Sequence, residues 1–563
     1  MADGGRIHIQ DALSLVGDLP LPHPASALLS SFVLEARNPE VAAEYVQRQI
    51  ADGQAHLLVS DWIPIVNSIT DEGLSPPQPN VDTIKAITRR DGYKCCVSGK
   101  SGGFWDPLIV VPILPIPYKW ASADPRVLQM LNAFFGRPYL EWWRNCIERA
   151  GMISSYHNHW LVRKSVSEAL KRGVVRLVRR PSSMIEYEVD HVLIGNERPI
   201  AISGKYALLG DHSRSGIDKV DARFIGTHAR LCRSIQLVNI ARSMTPSLLS
   251  QESPKPIPKS HQTRIRPRTR LNQTRLLSPF LHIWLLLPAT ARIAVYELLR
   301  KLGHRLYGLD DADNVQRLPF GLYLKYRGEP DLQRNEFHAL KMIQQHTTIP
   351  APRALDIVSK NIPNANDDFD PSPTSVSYLL ITRVPGITLA QGHDALSDQD
   401  FQTISLQMKH YISQIRDIPK IVNPQMAICN TLGEACRDHR IKYADPIGPF
   451  PDEASFSQQL RYSDEPSRRG HRIVFTHADL NPRNILVDKV HYEDGSHGWQ
   501  ISGILDWETA GYYPEYWDFT KAMYEGFRWP KRYNDVVKDI FAEFGEYSRE
   551  LEVEKRSWES GDG

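Results

Sequence analysis

Residues 245–275, TPSLLSQESPKPIPKSHQTRIRPRTRLNQTR, divide this 563-residue chain before any other feature is considered. They hold seven Lys/Arg against one acid, with repeated prolines. Proline rings and like charges favour an extended, solvated segment over a packed one. The chain must therefore build two hydrophobic cores, one over 1–244 and one beyond 275, and each length suffices for that. The basic run RIRPRTR leaves contact with nucleic acid and nuclear import open as alternatives.

Composition excludes several classes. The chain is 42% hydrophobic and 23% charged, ordinary for a soluble globular protein, and a net charge of +2 sets no global bias toward nucleic acid or membrane. Its six cysteines form no CxxC pair, so neither a zinc framework nor a disulfide scaffold is expected, and a reducing compartment fits. The opening MADGGRIHIQ lacks the basic and apolar regions of a secretory signal. The leucine-rich stretch 276–295 contains two prolines, His282 and Arg292, and its longest apolar run is Ile283 to Leu287. That is far short of the roughly 20 residues a membrane span needs, so it reads as buried helix entering a domain. The expected location is the cytoplasm, with the nucleus as the alternative. Residues 547–563 are charged, glycine-ended and read as a flexible tail.

Chemistry concentrates at 475–487, FTHADLNPRNILV. Two apolar ends read as short buried strands. The polar island between them holds His477, Asp479, Asn481 and Asn484, groups that need partners if buried. Downstream, WQISGILDWETAGYYPEYWDF places Asp506 at the end of another strand. Upstream, VQRLPFGLYLKYRG reads as strand and carries Lys325. Eleven residues later Glu336 lies at the edge of a helix face made by Phe337, Leu340 and Ile343, with Asp331 as the expected cap. SVSYLLITRVPGITL reads as a buried strand ending in a turn at Pro385-Gly386. An acid to accept a proton, an amide oxygen and a carboxylate for a cation, and a lysine for phosphates are the parts of a phosphoryl-transfer site.

In this order the motifs closely resemble the aminoglycoside phosphotransferase family, of the protein-kinase-like fold and in its fungal form, over about 285–545. The resemblance implies an α+β, bilobal domain at 276–546 that uses ATP and Mg2+. Asp479 would be the catalytic acid/base, with His477 supporting the same loop. Asn484 and Asp506 would hold magnesium. Lys325 would contact the nucleotide phosphates with Glu336 as partner, and Ile381, Thr382, Arg383 and Val384 would lie in the hinge that receives adenine. Asp518 would brace the catalytic loop. The partner would be a small-molecule hydroxyl acceptor, with oligomeric state open. The phosphate-cradling loop would fall between the first two strands, at 306–318, where only Gly308 accompanies Asp310, Asp311 and Asp313.

A second resemblance lies within 85–200, the core of the first domain. TRRDGYKCCVSGKSGGFWDPLIVVPILPIP and NHWLVRKSVSEALKRGVVRL are similar to the fungal HNH-type endonuclease domain. Its catalytic histidines would fall near Val111-Pro112 and Ser167, which cannot activate water, and Asn158 would match its middle position. A degenerate, small α+β nuclease-like region is implied. His157 and His159 read as ordinary polar residues, and Cys95 and Cys96 as core. Three functions stay open: an ATP- and Mg2+-dependent phosphotransferase, a non-catalytic pseudokinase-like scaffold, and a nucleic-acid-associated protein.

Overall fold

A computed structural model describes residues 2–121, 124–149, 154–195, 197, 199–204, 206–248, 281–307, 314–362, 374–438, 440–441, 445–491, 497–524 and 526–559. The chain separates into two compact units, Met1–Ile257 and Pro258–Gly563.

The first unit is mainly helical. Helices α1 (Ala2–Asp18), α2 (Ala25–Glu35), α3 (Pro39–Ala51), α4 (Ala55–Asn67) and α5 (Val81–Arg90) precede strand β1 (Leu108–Pro112). Then follow α6 (Pro125–Phe135), α7 (Arg137–Glu148), β2 (His159–Arg163), α8 (Lys164–Lys171), β3 (Val175–Arg179), β4 (Glu186–His191), β5 (Tyr206–Leu208) and α9 (Ala222–Leu248). Phe32, Trp62 and Phe134 form an aromatic centre with ring separations of 4.8–5.4 Å. The buried Trp62 indole donates to Ser234, so its polar edge is satisfied inside the core. Helix α9 runs to Leu248, which moves the end of this unit into the stretch expected as linker. Residues 249–280, including RIRPRTR, lie outside the described residues.

Strands β1 and β2 pair antiparallel and α8 follows directly. The Arg90-Asp91 pair is structural. Arg90 is 1% exposed and donates to the carbonyls of Tyr156 and His159, while Asp91 accepts from the Leu161 amide. Asn158 exchanges hydrogen bonds with the Leu114 backbone. Val111 and Pro112 end β1, and Ser167 is buried in α8. His157 lies 3.6 Å from Asp218, and His159 is buried, where loss of hydration lowers its pKa. Cys95 and Cys96 are buried and free.

The second unit opens with α10 (Ala289–Tyr307), followed by β6 (Val315–Leu318), β7 (Leu322–Gly328), α11 (Pro330–His346), β8 (Ala354–Ile362) and β9 (Thr374–Thr382). The four strands form one antiparallel sheet in the order β6-β7-β9-β8. Lys325 stands in its middle, opposite Val315 on one side and Leu379 on the other. Helix α11 starts on Pro330 with Glu329 at the cap position. Asp331, expected as the cap, sits in the first turn and binds Arg437 at 2.7 Å.

The remainder is richer in helix: α12 (Asp398–Arg416), α13 (Trp517–Tyr524), α14 (Lys531–Ala542) and α15 (Ser548–Glu559). Two small sheets accompany them. β10 (Ile387–Thr388), β13 (Ile485–His491) and β14 (His497–Ile504) make one; β11 (Cys429–Asn430), β15 (Gly511–Pro514) and β12 (Ile473–Thr476) make the other. Gly386, at φ +117°, lets the chain leave β9 against β13: a Cβ there would stand 2.7 Å from the Val487 carbonyl oxygen.

Three expectations are corrected. The leucine-rich entry segment is helical over 281–285 and again from Ala289, but its leucine-rich part is not buried: Ile283 and Leu286 are 64% and 83% exposed. Its orientation is set instead by polar anchors, because Trp284, Arg292 and Tyr296 all converge on the buried Asp356 carboxylate. The expected tail is also structured. α15 buries Leu551, Val553 and Glu554, while 560–563 lie outside the described residues. Finally, 306–318 is entered from a helix rather than a strand. α10 ends at Tyr307, and Gly303 allows it to lie against β6, where a Cβ would meet the Arg317 carbonyl oxygen at 2.3 Å. Gly308, Asp310, Asp311 and Asp313 lie outside the described residues. No helix among the described residues is long and apolar enough to cross a membrane.

Candidate active site

The polar island is held by strands at both ends: β12 enters it and β13 leaves it. His477 is fully buried, and both ring nitrogens are committed. Nε2 donates to the Leu505 carbonyl at 2.8 Å, and Nδ1 accepts from the Asp479 amide at 3.1 Å. Its ring packs 4.5 Å from Trp507. Through these two bonds His477 ties the loop at 477–484 to the turn at 505–507. Asp518, buried on α13, accepts from the amides of His477 and Ala478 at 3.3 and 2.8 Å. Ala478 needs that support, since its φ of +63° is unfavourable for a residue with a Cβ.

Asp479 emerges from this brace with both carboxylate oxygens engaged. Asn481 Nδ2 donates to Oδ1 at 3.1 Å and Asn484 Nδ2 to Oδ2 at 2.9 Å. Lys521 Nζ lies 3.5 Å from Oδ1 and 4.0 Å from the buried Asp438. Asp438 in turn is gripped by Arg440 and the Trp517 indole, and Arg440 also faces Glu554 of α15. Arg440 and then Lys521 hold the Asp438 carboxyl well below the usual carboxylate range despite its burial. Sequence reasoning missed Lys521, although α13 offered a signal. Asp518 and Lys521 are three residues apart on one helix, so a face that meets the loop through the first also presents the second.

The second cluster forms around Lys325. Its Nζ is 2.7 Å from Glu336, 2.6 Å from Asp506 and 3.7 Å from Glu508. Burial alone would lower the lysine's pKa, but Asp506, Glu336 and Glu508 hold it well above its ordinary value. Glu508 was not foreseen. Asp506 has φ +63°, which turns the chain sharply after β14 and brings Glu508 back toward the same lysine. One carboxylate oxygen from each of Glu336, Asp506 and Glu508 lies within 4.8 Å of the other two. Burial, and then the neighbouring Asp506 charge, push the Glu508 carboxyl up to about 8. Three acids against one lysine are under-neutralised, and hard oxygen donors at this spacing fit a divalent cation. The two residues expected to share magnesium are differently engaged: Asp506 is paired with Lys325, while Asn484 turns its amide nitrogen to Asp479.

The segment expected to receive adenine ends β9. Ile381 is buried, the Thr382 amide donates to Arg353 and the Arg383 amide to Gly321, at 3.1 and 2.8 Å. The Gly503 position approaches Val384 closely, at 2.5 Å from an added Cβ, so the end of β14 packs against Val384.

Residues 322–552 match the family described as phosphotransferase enzyme family. No curated protein matches. Similar solved structures include a thermostable mutant of aminoglycoside phosphotransferase APH(4)-Ia in ternary complex with ADP and hygromycin B. It is 13% identical, covers 46% of this chain and 87% of its own, and has a TM-score of 0.29. Aminoglycoside phosphotransferase APH(3'')-Id from Streptomyces rimosus, with ADP and streptomycin, is 17% identical over 46% of this chain and 95% of its own, TM-score 0.30. Macrolide 2'-phosphotransferase MphH from Brachybacterium faecium is 15% identical over 47% and 94%, TM-score 0.26. The family match does not reach the first unit, and none of these findings supports its nuclease-like resemblance.

Proposed function

We propose that the second unit transfers the γ-phosphoryl group of ATP to a hydroxyl of a small-molecule acceptor. The observation that carries this reading is Asp479, a carboxylate fixed by Asn481, Asn484 and Lys521 on a loop whose backbone is braced by Asp518. A carboxylate oriented in this way can take the proton of an incoming hydroxyl as its oxygen attacks the γ-phosphorus, while the bond to the leaving ADP oxygen breaks. Lys325 would bind the α/β-phosphates, kept in place by Glu336. Ile381 to Val384 would border the adenine. Asp506 and Asn484, with Glu508 beside them, would hold Mg2+, which neutralises phosphate charge when bound. ADP release by the full chain, measured over a panel of hydroxyl compounds beside Asp479→Asn, tests the reading. Acceptor-dependent ADP release lost in the variant supports it, and equal release by both proteins refutes the assignment of the base.

A scaffold without catalysis is the second reading. It is favoured by α10, a helix where the first strand of a phosphate-binding hairpin was expected. Absence of ATP binding by folded protein would favour it. For the first unit, a degenerate nuclease-like reading rests on the antiparallel pair β1-β2, whose strands are separated in sequence by α6 and α7, and on the α8 that follows β2. With Val111, Pro112 and Ser167 where histidines would act, only recognition of nucleic acid would remain. Such binding should weaken steeply with salt, and none at low salt removes it.

A further inference from the structure

A wide cleft of about 850 Å³ is walled by the end of α13, the turn after it, α14 and α15. Two contacts join it to the site. Lys521, which faces Asp479, also lies 5.5 Å from the Tyr524 ring. Arg483, between Asp479 and Asn484 in the loop, holds its guanidinium 5.7 Å from the Trp529 ring. Tyr524 and Trp529 both line the cleft.

Its chemistry is one-sided. The described lining residues include four cations, Arg528, Lys531, Lys538 and Lys555, and one acid, Asp535. Asp535 is itself 3.9 Å from Lys538. Between the charges stand aromatic faces. Tyr524 and Trp558 meet edge to face at 4.8 Å, and Trp529 completes the set. Concentrated positive charge over a cleft attracts anions and repels polycations, and aromatic walls stack on planar or sugar rings. Resting on the phosphotransferase reading, we propose that this cleft is the acceptor site and that the acceptor is an anionic, ring-bearing hydroxyl compound rather than a polycationic one. The anion would sit toward Lys531, Lys538 and Lys555, the ring against Tyr524, Trp529 and Trp558, and the hydroxyl would point past Lys521 to Asp479.

The test uses the full chain and three alcohols of similar size: para-hydroxymethylbenzoate as anion, para-aminomethylbenzyl alcohol as cation, and benzyl alcohol as the neutral member. Binding is read by calorimetry and by tryptophan fluorescence at low salt, and ATP binding is measured on the same samples. The carboxylate should bind at least tenfold more tightly than the amine. The double variant Lys538→Glu/Lys555→Glu should abolish that preference. Both changed side chains are exposed, and an unaltered melting temperature confirms folding. Equal or tighter binding of the amine, a preference unchanged in the double variant, or no binding of any probe at millimolar concentration would each overturn the proposal. Carboxylate binding without ATP binding would instead overturn the phosphotransferase reading and leave the anionic cleft standing.

Discussion

His471 provides a stability prediction whose sign and size follow from the structure. It lies just before β12. Its Nδ1 is 2.7 Å from Glu453 and its Nε2 3.4 Å from Glu550 of α15, while its ring packs 4.7 Å from Tyr516. Burial alone would lower its pKa, but the hydrogen bonds and charges of Glu453 and Glu550 raise it to about 9, from an ordinary 6.5. A histidine with a raised folded-state pKa contributes stability that is fully present below the unfolded value and lost as pH climbs through the folded one. The window is therefore pH 6.5 to about 9. A shift of this size corresponds to about 3 kcal/mol, or about 5 °C in the melting temperature of a unit this large. The perturbation is His471→Gln and the assay is calorimetric unfolding of the full chain at several pH values. Other groups titrate in the same range, so the difference between the two proteins is the quantity to read. The variant should melt well below the parent at pH 6, and the two should converge by pH 9.5. A constant difference across that range would refute the assignment of His471 as a charged clamp on α15.

Other perturbations address the site. Asp479→Asn should retain ATP binding and lower transfer by about 10²–10⁴-fold, as removal of a general base does, in a steady-state assay beside a binding titration. Lys521→Met should reduce kcat while leaving ATP affinity nearly unchanged, and Lys521→Arg should recover part of it; a change confined to thermal stability would mean Lys521 only packs. At pH 9, above the raised Glu508 value of about 8, Glu508→Gln relieves repulsion among acids within 4.8 Å. Coulomb's law at an effective dielectric near 20 gives about 3.5 kcal/mol for a pair at that distance, and partial solvent screening reduces it to about 1–2 kcal/mol. The metal-free variant should melt a few degrees higher than the parent and gain less from Mg2+; a lower melting temperature without Mg2+ would contradict this.

The site was legible in the sequence where chemistry and local chain direction coincide. Asp479, Asn484 and Asp506 are polar residues pinned to strand ends, and Lys325 and Glu336 stand on an adjoining strand and helix, so local patterns placed each on its element, while the expectation that they share one site came from the family resemblance. Glu508 escaped because a positive φ at Asp506 reverses the chain, and a strand pattern carries no mark of such a turn. Lys521 and Asp438 meet across 83 residues of sequence through burial that no local period encodes. The charged C-terminal stretch was misread for a related reason. Charged residues were assigned to solvent, but Glu554 is 3% exposed and lies between Arg440 and Arg468, and Glu550 faces His471. Leu551, Glu554 and Trp558, spaced 3 and 4 apart, did carry a helical signal. The opposite error affected 283–287, where apolar residues were assigned to a core but polar anchors to Asp356 turn the leucines outward.

Calorimetric titration of the full chain with ATP, with and without Mg2+ and in parallel with Asp506→Asn, tests the nucleotide site most directly. Binding should require Mg2+ and be lost in the variant, because Asp506 pairs with Lys325 and lies beside Glu336 and Glu508. Binding indifferent to both, or no binding by demonstrably folded protein, would contradict this.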